Sequence, residues 1–325
     1  MSPNSSISSS DVARYFGLAL LTAVAFVSIV AAISLVGIRR GIVTWKDGKI
    51  LSYQLHKIAV AQRVDVLLVG DSTLGNAVDA RTWGTELGEA VLSLPLTGTY
   101  GYGGSLNMLR RVLRHHRPRV VVVFQSPDMM ARKIAYDGLL YTSETPGDIR
   151  GIPPWRLLGP LATWDIPMSM LANALTRHPP DRQGIKGGYV PQLDPAAARA
   201  NVLRDAKFLT PTMIRPEKAT FLREIGALCA REGIQCLYAH GPYVEPQCSS
   251  IGPYLQVVDT IIQASGLSVV PGTPVCMPLD EAGDAADHPA PTFKRRYSET
   301  YLSLIEPAVS SQALAQAGGP LALAH

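Results

Sequence analysis

The sequence predicts an α/β domain built on a parallel sheet of about five strands, preceded by one transmembrane helix. Three observations carry this. Apolar runs at residues 64–70, 90–94, 120–124, 235–240 and 267–270 alternate with stretches of helical period, the rhythm of parallel strands joined by right-handed crossovers. The first and third runs are unbroken rather than alternating, as befits strands covered on both faces by helices. Residues 15–38 carry no charge, and as a helix rising about 1.5 Å per residue they match the roughly 30 Å hydrocarbon core of a bilayer.

Taken in order, residues 1–14 form a short N-terminal tail and 15–38 the anchor. A cleaved signal peptide would have a shorter apolar stretch and a more basic start. Leu51, Leu55, Ile58 and Ala59 set a helix over 50–62 that leads into the first strand, which ends at Gly70-Asp71-Ser72. In such sheets ligands lie beyond the carboxyl ends of the strands, so Ser72 is well placed for chemistry. The second strand gives way to the glycine-rich loop 97–104 and a helix through Leu106, Leu109, Val112 and Leu113. The third, introduced by Pro118, ends at Gln125-Ser126-Pro127-Asp128. Residues from about 130 to 212 break the rhythm with Pro, Gly, Trp155 and Trp164, and read as a helical insertion over the carboxyl edge, a candidate substrate lid. The rhythm resumes with a helix over 216–232, closed by Gly233, the strand at 235–240, a helix over 251–264, the strand at 267–270 and a last helix over 292–305. The α/β domain therefore spans 50–309. The Ala/Gly-rich tail 310–325 reads as disordered.

With 325 residues and 47% hydrophobic content, the chain can bury one full core and carry an appendage. A net charge of +4 without interleaved aromatics excludes a nucleic-acid partner. The densest basic cluster, Arg110, Arg111, Arg114, Arg117 and Arg119, reads as a solvated helix face, with an anionic glycan or lipid headgroup as its other reading. No paired Cys or His spacing suits a metal, and the glycine loop lacks the context of a nucleotide fingerprint, so no cofactor is expected. Cys229 and Cys236 fall in a helix and a strand, where buried free thiols are usual. Cys248 and Cys276 fall in loops after successive strands and could meet, which would imply an oxidising compartment.

Serine is a weak nucleophile and needs a histidine oriented by a carboxylate. The stretch Gly283-Asp284-Ala285-Ala286-Asp287-His288-Pro289 offers one, His288, with Asp284 or Asp287 as its acid. Sequence neighbours rarely face each other, which favours Asp284.

The ordered set of Gly70-Asp71-Ser72, a glycine loop after the second strand and an Asp/His pair before the last helix resembles the SGNH/GDSL hydrolase family. The likeness extends to its membrane-anchored members in polysaccharide O-acetylation, such as the alginate acetylation proteins and those that load D-alanine onto teichoic acids. The resemblance implies a flavodoxin-like three-layer sandwich, Ser72 as nucleophile, His288 as base, and an oxyanion hole from the backbone amides of Ser72 and Gly98, with Gly101 next. Two departures stand out. The family's third block carries an asparagine in Gly-x-Asn-Asp, whereas Gln125-Ser126-Pro127-Asp128 lacks it, leaving Gln125 or Ser126 as replacement donors. The last block has Ala285 where Asp-x-x-His would place its acid. Asp71 and His240, which lie at the ends of strands, are candidate substrate contacts, with a satisfied structural histidine as the favoured reading of His240.

The function implied is a serine esterase or O-acyltransferase acting through a serine-bound acyl group on envelope or exported polysaccharide. Its partners would be an acyl ester substrate, the membrane, and a polysaccharide-export or acyl-donor membrane protein. The alternative is a catalytically inactive SGNH-fold binding or scaffold subunit. Orientation divides the signals. Arg14 before the helix against Arg39, Arg40, Lys46, Lys49 and Lys57 after it points to the cytoplasm, whereas the glycan substrate and a Cys248–Cys276 bridge point to the periplasm, which is the placement expected for this single-pass inner-membrane protein.

Overall fold

The structure is a computed structural model and describes residues 9–39, 46–149 and 195–317. The described residues divide into two units, one holding 9–39 and 46–52, the other 53–149 and 195–317. In the first, helix α1 (Ser9–Arg39) contains a 19-residue window, Val12–Val30, with a hydropathy of 1.9. By length and composition it can cross a membrane. Helix α2 (Lys46–Val60) follows in the chain.

The second unit holds five parallel strands, β1 (Val66–Gly70), β2 (Val91–Pro95), β3 (Val120–Gln125), β4 (Gln235–His240) and β6 (Ser268–Val269), in the order β2-β1-β3-β4-β6. This mixed α/β arrangement is consistent with a flavodoxin-like fold. β1 lies between β2 and β3, and β3 is the middle strand. Val66–Val69 and Val120–Phe124 are wholly inaccessible to solvent, which explains why both runs are apolar without alternation.

Helices cover both faces. On one, Tyr102 of α5 (Gly101–Leu113) meets Tyr238 of β4, the two hydroxyls 2.8 Å apart. On the other lie α3 (Ser72–Ala77), α4 (Ala80–Leu87) and the long last helix, where Trp83 donates to the Ser298 carbonyl and Phe124 packs edge-on against Tyr301 at 4.7 Å. The arginines of the basic cluster are committed on this framework. Arg110 pairs with Asp148 and Glu224, Arg111 and Arg114 with Glu144, Arg117 with Glu232 and Arg119 with Glu89.

Gly70 shows why β1 must end in glycine. It pairs with Phe124 on β3, and a Cβ there would overlap the Phe124 carbonyl oxygen, a backbone atom that cannot move aside. Gly70→Ala is expected to cost roughly 1–3 kcal/mol or more, read as a lower midpoint in urea unfolding.

Several expectations are corrected. Cys229 and Cys236 are not free thiols but a disulfide, because Gly233, at φ 67°, closes the helix Ala219–Glu232 in a left-handed turn and brings β4 back to within 6.2 Å Cα–Cα. Cys248 and Cys276, whose pairing the sequence left open, are joined, and they staple a small parallel sheet the sequence did not reveal, β5 (Tyr243–Val244) with β7 (Cys276–Met277). The last helix, Lys294–Ala317, runs on through 310–317, where disorder was expected; the alanine-rich stretch has high helix propensity. Of the expected tail, 318–325 lie outside the described residues, as do 150–194 of the insertion with Trp155 and Trp164. The insertion's described flanks include helices at Tyr136–Thr142 and Pro195–Asp205.

Candidate active site

The site begins where β1 ends. Asp71 is extended, at φ −92° and ψ −164°, and caps α3 by accepting from the Thr73 amide, which leaves Ser72 at the first helical position on the sheet's carboxyl edge. The second Asp71 oxygen accepts from the Ser126 amide just after β3, at 3.1 Å. Both oxygens thus serve backbone amides, and the side chain is 1% exposed. Asp71 holds the turn, and with both oxygens taken by amides it has none free for the candidate substrate contact. Burial raises its pKa above the ordinary carboxylate value, with Arg132 opposing.

The loop before the last helix closes on itself through Gly283 N–H to His288 O at 2.7 Å and His288 N–H to Ala285 O at 3.2 Å. That fold brings side chains four residues apart together. Asp284 Oδ1 lies 2.8 Å from His288 Nδ1, and His288 Nε2 lies 2.9 Å from Ser72 Oγ. An ionised carboxylate only accepts, so Nδ1 carries the proton; in the neutral ring Nε2 is then the acceptor and the Ser72 hydroxyl donates to it. Ser72, His288 and Asp284 thus form one hydrogen-bonded line across a sequence separation of 216 residues.

Asp287, the other candidate acid, is placed differently. It approaches Nε2 at 3.5 Å, while its Oδ2 accepts from the Thr73 hydroxyl and from Arg132, both at 3.0 Å. Burial pushes its carboxyl up, but the neighbouring His288 and then Arg132 outweigh this and hold it below the usual range. His288 responds in the opposite sense. Burial disfavours its charged form, yet the adjacent Asp287 charge, followed by the Asp284 hydrogen bond, raises it above 6.5.

The expected oxyanion donors fare unequally. Side chains alternate along a strand, and because Phe124 packs on Tyr301 beneath the last helix, Gln125 must point to the opposite face. There it is fully buried and its Nε2 donates to Ser105 of α5 at 2.8 Å, so the expected donor role of Gln125 is corrected. The Ser126 hydroxyl is likewise committed, to Asp128 at 2.7 Å. Gly98 lies against Arg132, whose Nη1 fills the space where a Cβ would stand, while Gly101, at φ 53°, starts α5 beside Met129. His240 is also turned away. Fully buried, it bonds Asp259 of the helix Gly252–Ala264 at 2.7 Å and rests against Tyr238, which is its structural reading and not a substrate contact.

Arg132 is the residue sequence reading missed. Its Nε donates to Asp128 at 2.7 Å, and its Nη2 to Ser126 Oγ at 3.2 Å and to Asp287. The only local signal was the Asp128/Arg132 spacing of four, at the start of what reads as an insertion. A cavity of about 320 Å³ joins these groups, lined by Ser72, His288, Asp287, Asp128 and Arg132 together with Tyr243, Arg204 and Lys207. Tyr243 donates to the Lys207 carbonyl and accepts from its amide. Glu245 clusters with Cys248 and Cys276, but the joined sulfurs offer no thiolate to a metal.

No family model and no curated protein matches the sequence. Among solved structures, the chain is similar to the crystal structure of TesA, with a TM-score of 0.37 and 15% sequence identity over 74% of this chain and 98% of that one.

Proposed function

We propose that this protein is a membrane-anchored serine acyl-transfer enzyme of SGNH type, an esterase or O-acyltransferase acting on cell-envelope or exported polysaccharide. The observation that carries the reading is the Ser72–His288–Asp284 line, with hydrogen bonds of 2.9 and 2.8 Å, opening on a cavity. Ser72 Oγ attacks the acyl carbonyl as its proton passes to His288 Nε2, and Asp284 stabilises the imidazolium. Collapse of the tetrahedral adduct expels the alcohol, which takes that proton and leaves the acyl group on Ser72. His288 then draws a proton from water or from a sugar hydroxyl, which accepts the acyl group and frees Ser72. Water makes an esterase; a sugar makes a transferase.

The Cys248–Cys276 bridge supports a periplasmic domain, since such bridges persist in oxidising compartments. The apolar helix α1 supports single-pass anchoring, and a polysaccharide-export or acyl-donor membrane protein is the partner this placement suits. A binding or scaffold subunit without turnover is the second reading, favoured by the absent third-block asparagine. The discriminating experiment is hydrolysis of p-nitrophenyl acetate with mass spectrometry of the trapped protein. An acetyl adduct on Ser72 is expected; neither turnover nor adduct would leave the binding reading. A reporter fused after the last helix tests the side of the membrane, alkaline phosphatase activity being the expected result.

A further inference from the structure

Resting on the acyl-transfer reading, we infer that the Arg132 guanidinium is a catalytic group: its Nη1 donates to the oxyanion that forms when Ser72 attacks. The need for such a donor is chemical. A tetrahedral adduct places negative charge on the former carbonyl oxygen, and donors fixed in advance around that oxygen supply a large share of the rate. The Ser72 amide, in the first turn of α3, has no intrahelical acceptor and is one such donor by position. The third block supplies none of the usual kind. Pro127 stands where the family's asparagine would, with neither an N–H nor a polar side chain, while Gln125 and Ser126 are engaged elsewhere.

Arg132 fills that vacancy with geometry that a mere ion pair does not require. Asp128, Asp287 and Ser126 grip the Nε and Nη2 edge, which fixes the plane of the group. Nη1 has no hydrogen-bond partner among the described residues. It lies on Gly98, the second-block glycine, where any side chain would displace it, and Arg132 borders the cavity shared by Ser72 and His288. With two carboxylates beside it, the guanidinium has no surplus charge to hold an anionic ground state. Its contribution appears as the negative oxygen forms, when His288 turns cationic. The effect therefore falls on kcat rather than KM.

The test uses the full-length protein in detergent and p-nitrophenyl acetate. Arg132→Gln is expected to lower kcat about 10²–10³-fold with KM within about threefold of wild type. Arg132→Lys keeps a charge near Asp128 and Asp287 but has no Nη1, and is expected to show the same split, which guards against a misfolded glutamine variant. Added guanidinium is expected to restore part of the Arg132→Ala rate and none of the Ser72→Ala rate. A lysine variant within threefold of wild-type kcat would overturn the assignment, as would a loss that guanidinium leaves untouched and that tracks a fall in melting temperature. A wild-type protein with no Ser72-dependent turnover would overturn the acyl-transfer reading itself, and this one with it.

Discussion

Ser72→Ala is expected to lower kcat for a small aryl ester by about 10⁶-fold, His288→Ala by a similar factor, and the double variant by no more than either alone. The reason lies in the 2.9 Å contact between Ser72 Oγ and His288 Nε2. Either residue without the other leaves no activated nucleophile, so the second deletion removes nothing further. Two losses that multiplied would mean the residues act independently and would break the proposed mechanism. Burst kinetics on the wild type and intact-mass measurement of each variant supply the readout, and KM should change little because the acyl group is held by the rest of the cavity.

The two aspartates near His288 should separate just as clearly. Asp284→Asn is expected to reduce plateau kcat about 10⁴-fold, since an amide can donate to Nδ1 and so favour the tautomer that carries its proton on Nε2, where Ser72 must deliver its own. Asp287→Asn leaves the Nδ1 bond intact. It removes the strongest influence raising His288, so its main signature is in the pH profile. His288 must be neutral to take the proton, and its pKa is raised, so kcat/KM of the wild type rises with pH through a limb above 6.5. In Asp287→Asn that limb moves toward lower pH, with a smaller loss at the plateau because Arg132 is left with one carboxylate fewer. A profile that stays in place, or an Asp287→Asn plateau as low as that of Asp284→Asn, would reverse the roles given to the two acids.

What the sequence could reveal follows from how far apart the deciding contacts lie. The strand into Gly70-Asp71-Ser72 and the strand-helix alternation that follows it are written in local patterns and element order. Gln125 was misread because its orientation depends on which helix covers which face, and that is settled by Phe124 against Tyr301, far along the chain. His240 is held by Asp259 on the helix Gly252–Ala264, a pairing no local spacing announces. Arg132 joins Asp128 and Ser126 of its own segment to Asp287 and Gly98 far along the chain. The spacing of four from Asp128 hints at the first contact and at none of the distant ones.

The Asp71 carboxyl group binds the amide of Thr73, beside Ser72, and that of Ser126, at the head of the segment carrying Asp128 and Arg132. Two stretches of chain are thereby referred to a single datum. A shared carboxyl group fixes the spacing of these two stretches without any direct contact between their side chains. The site behaves as a jaw with both faces cut from one block.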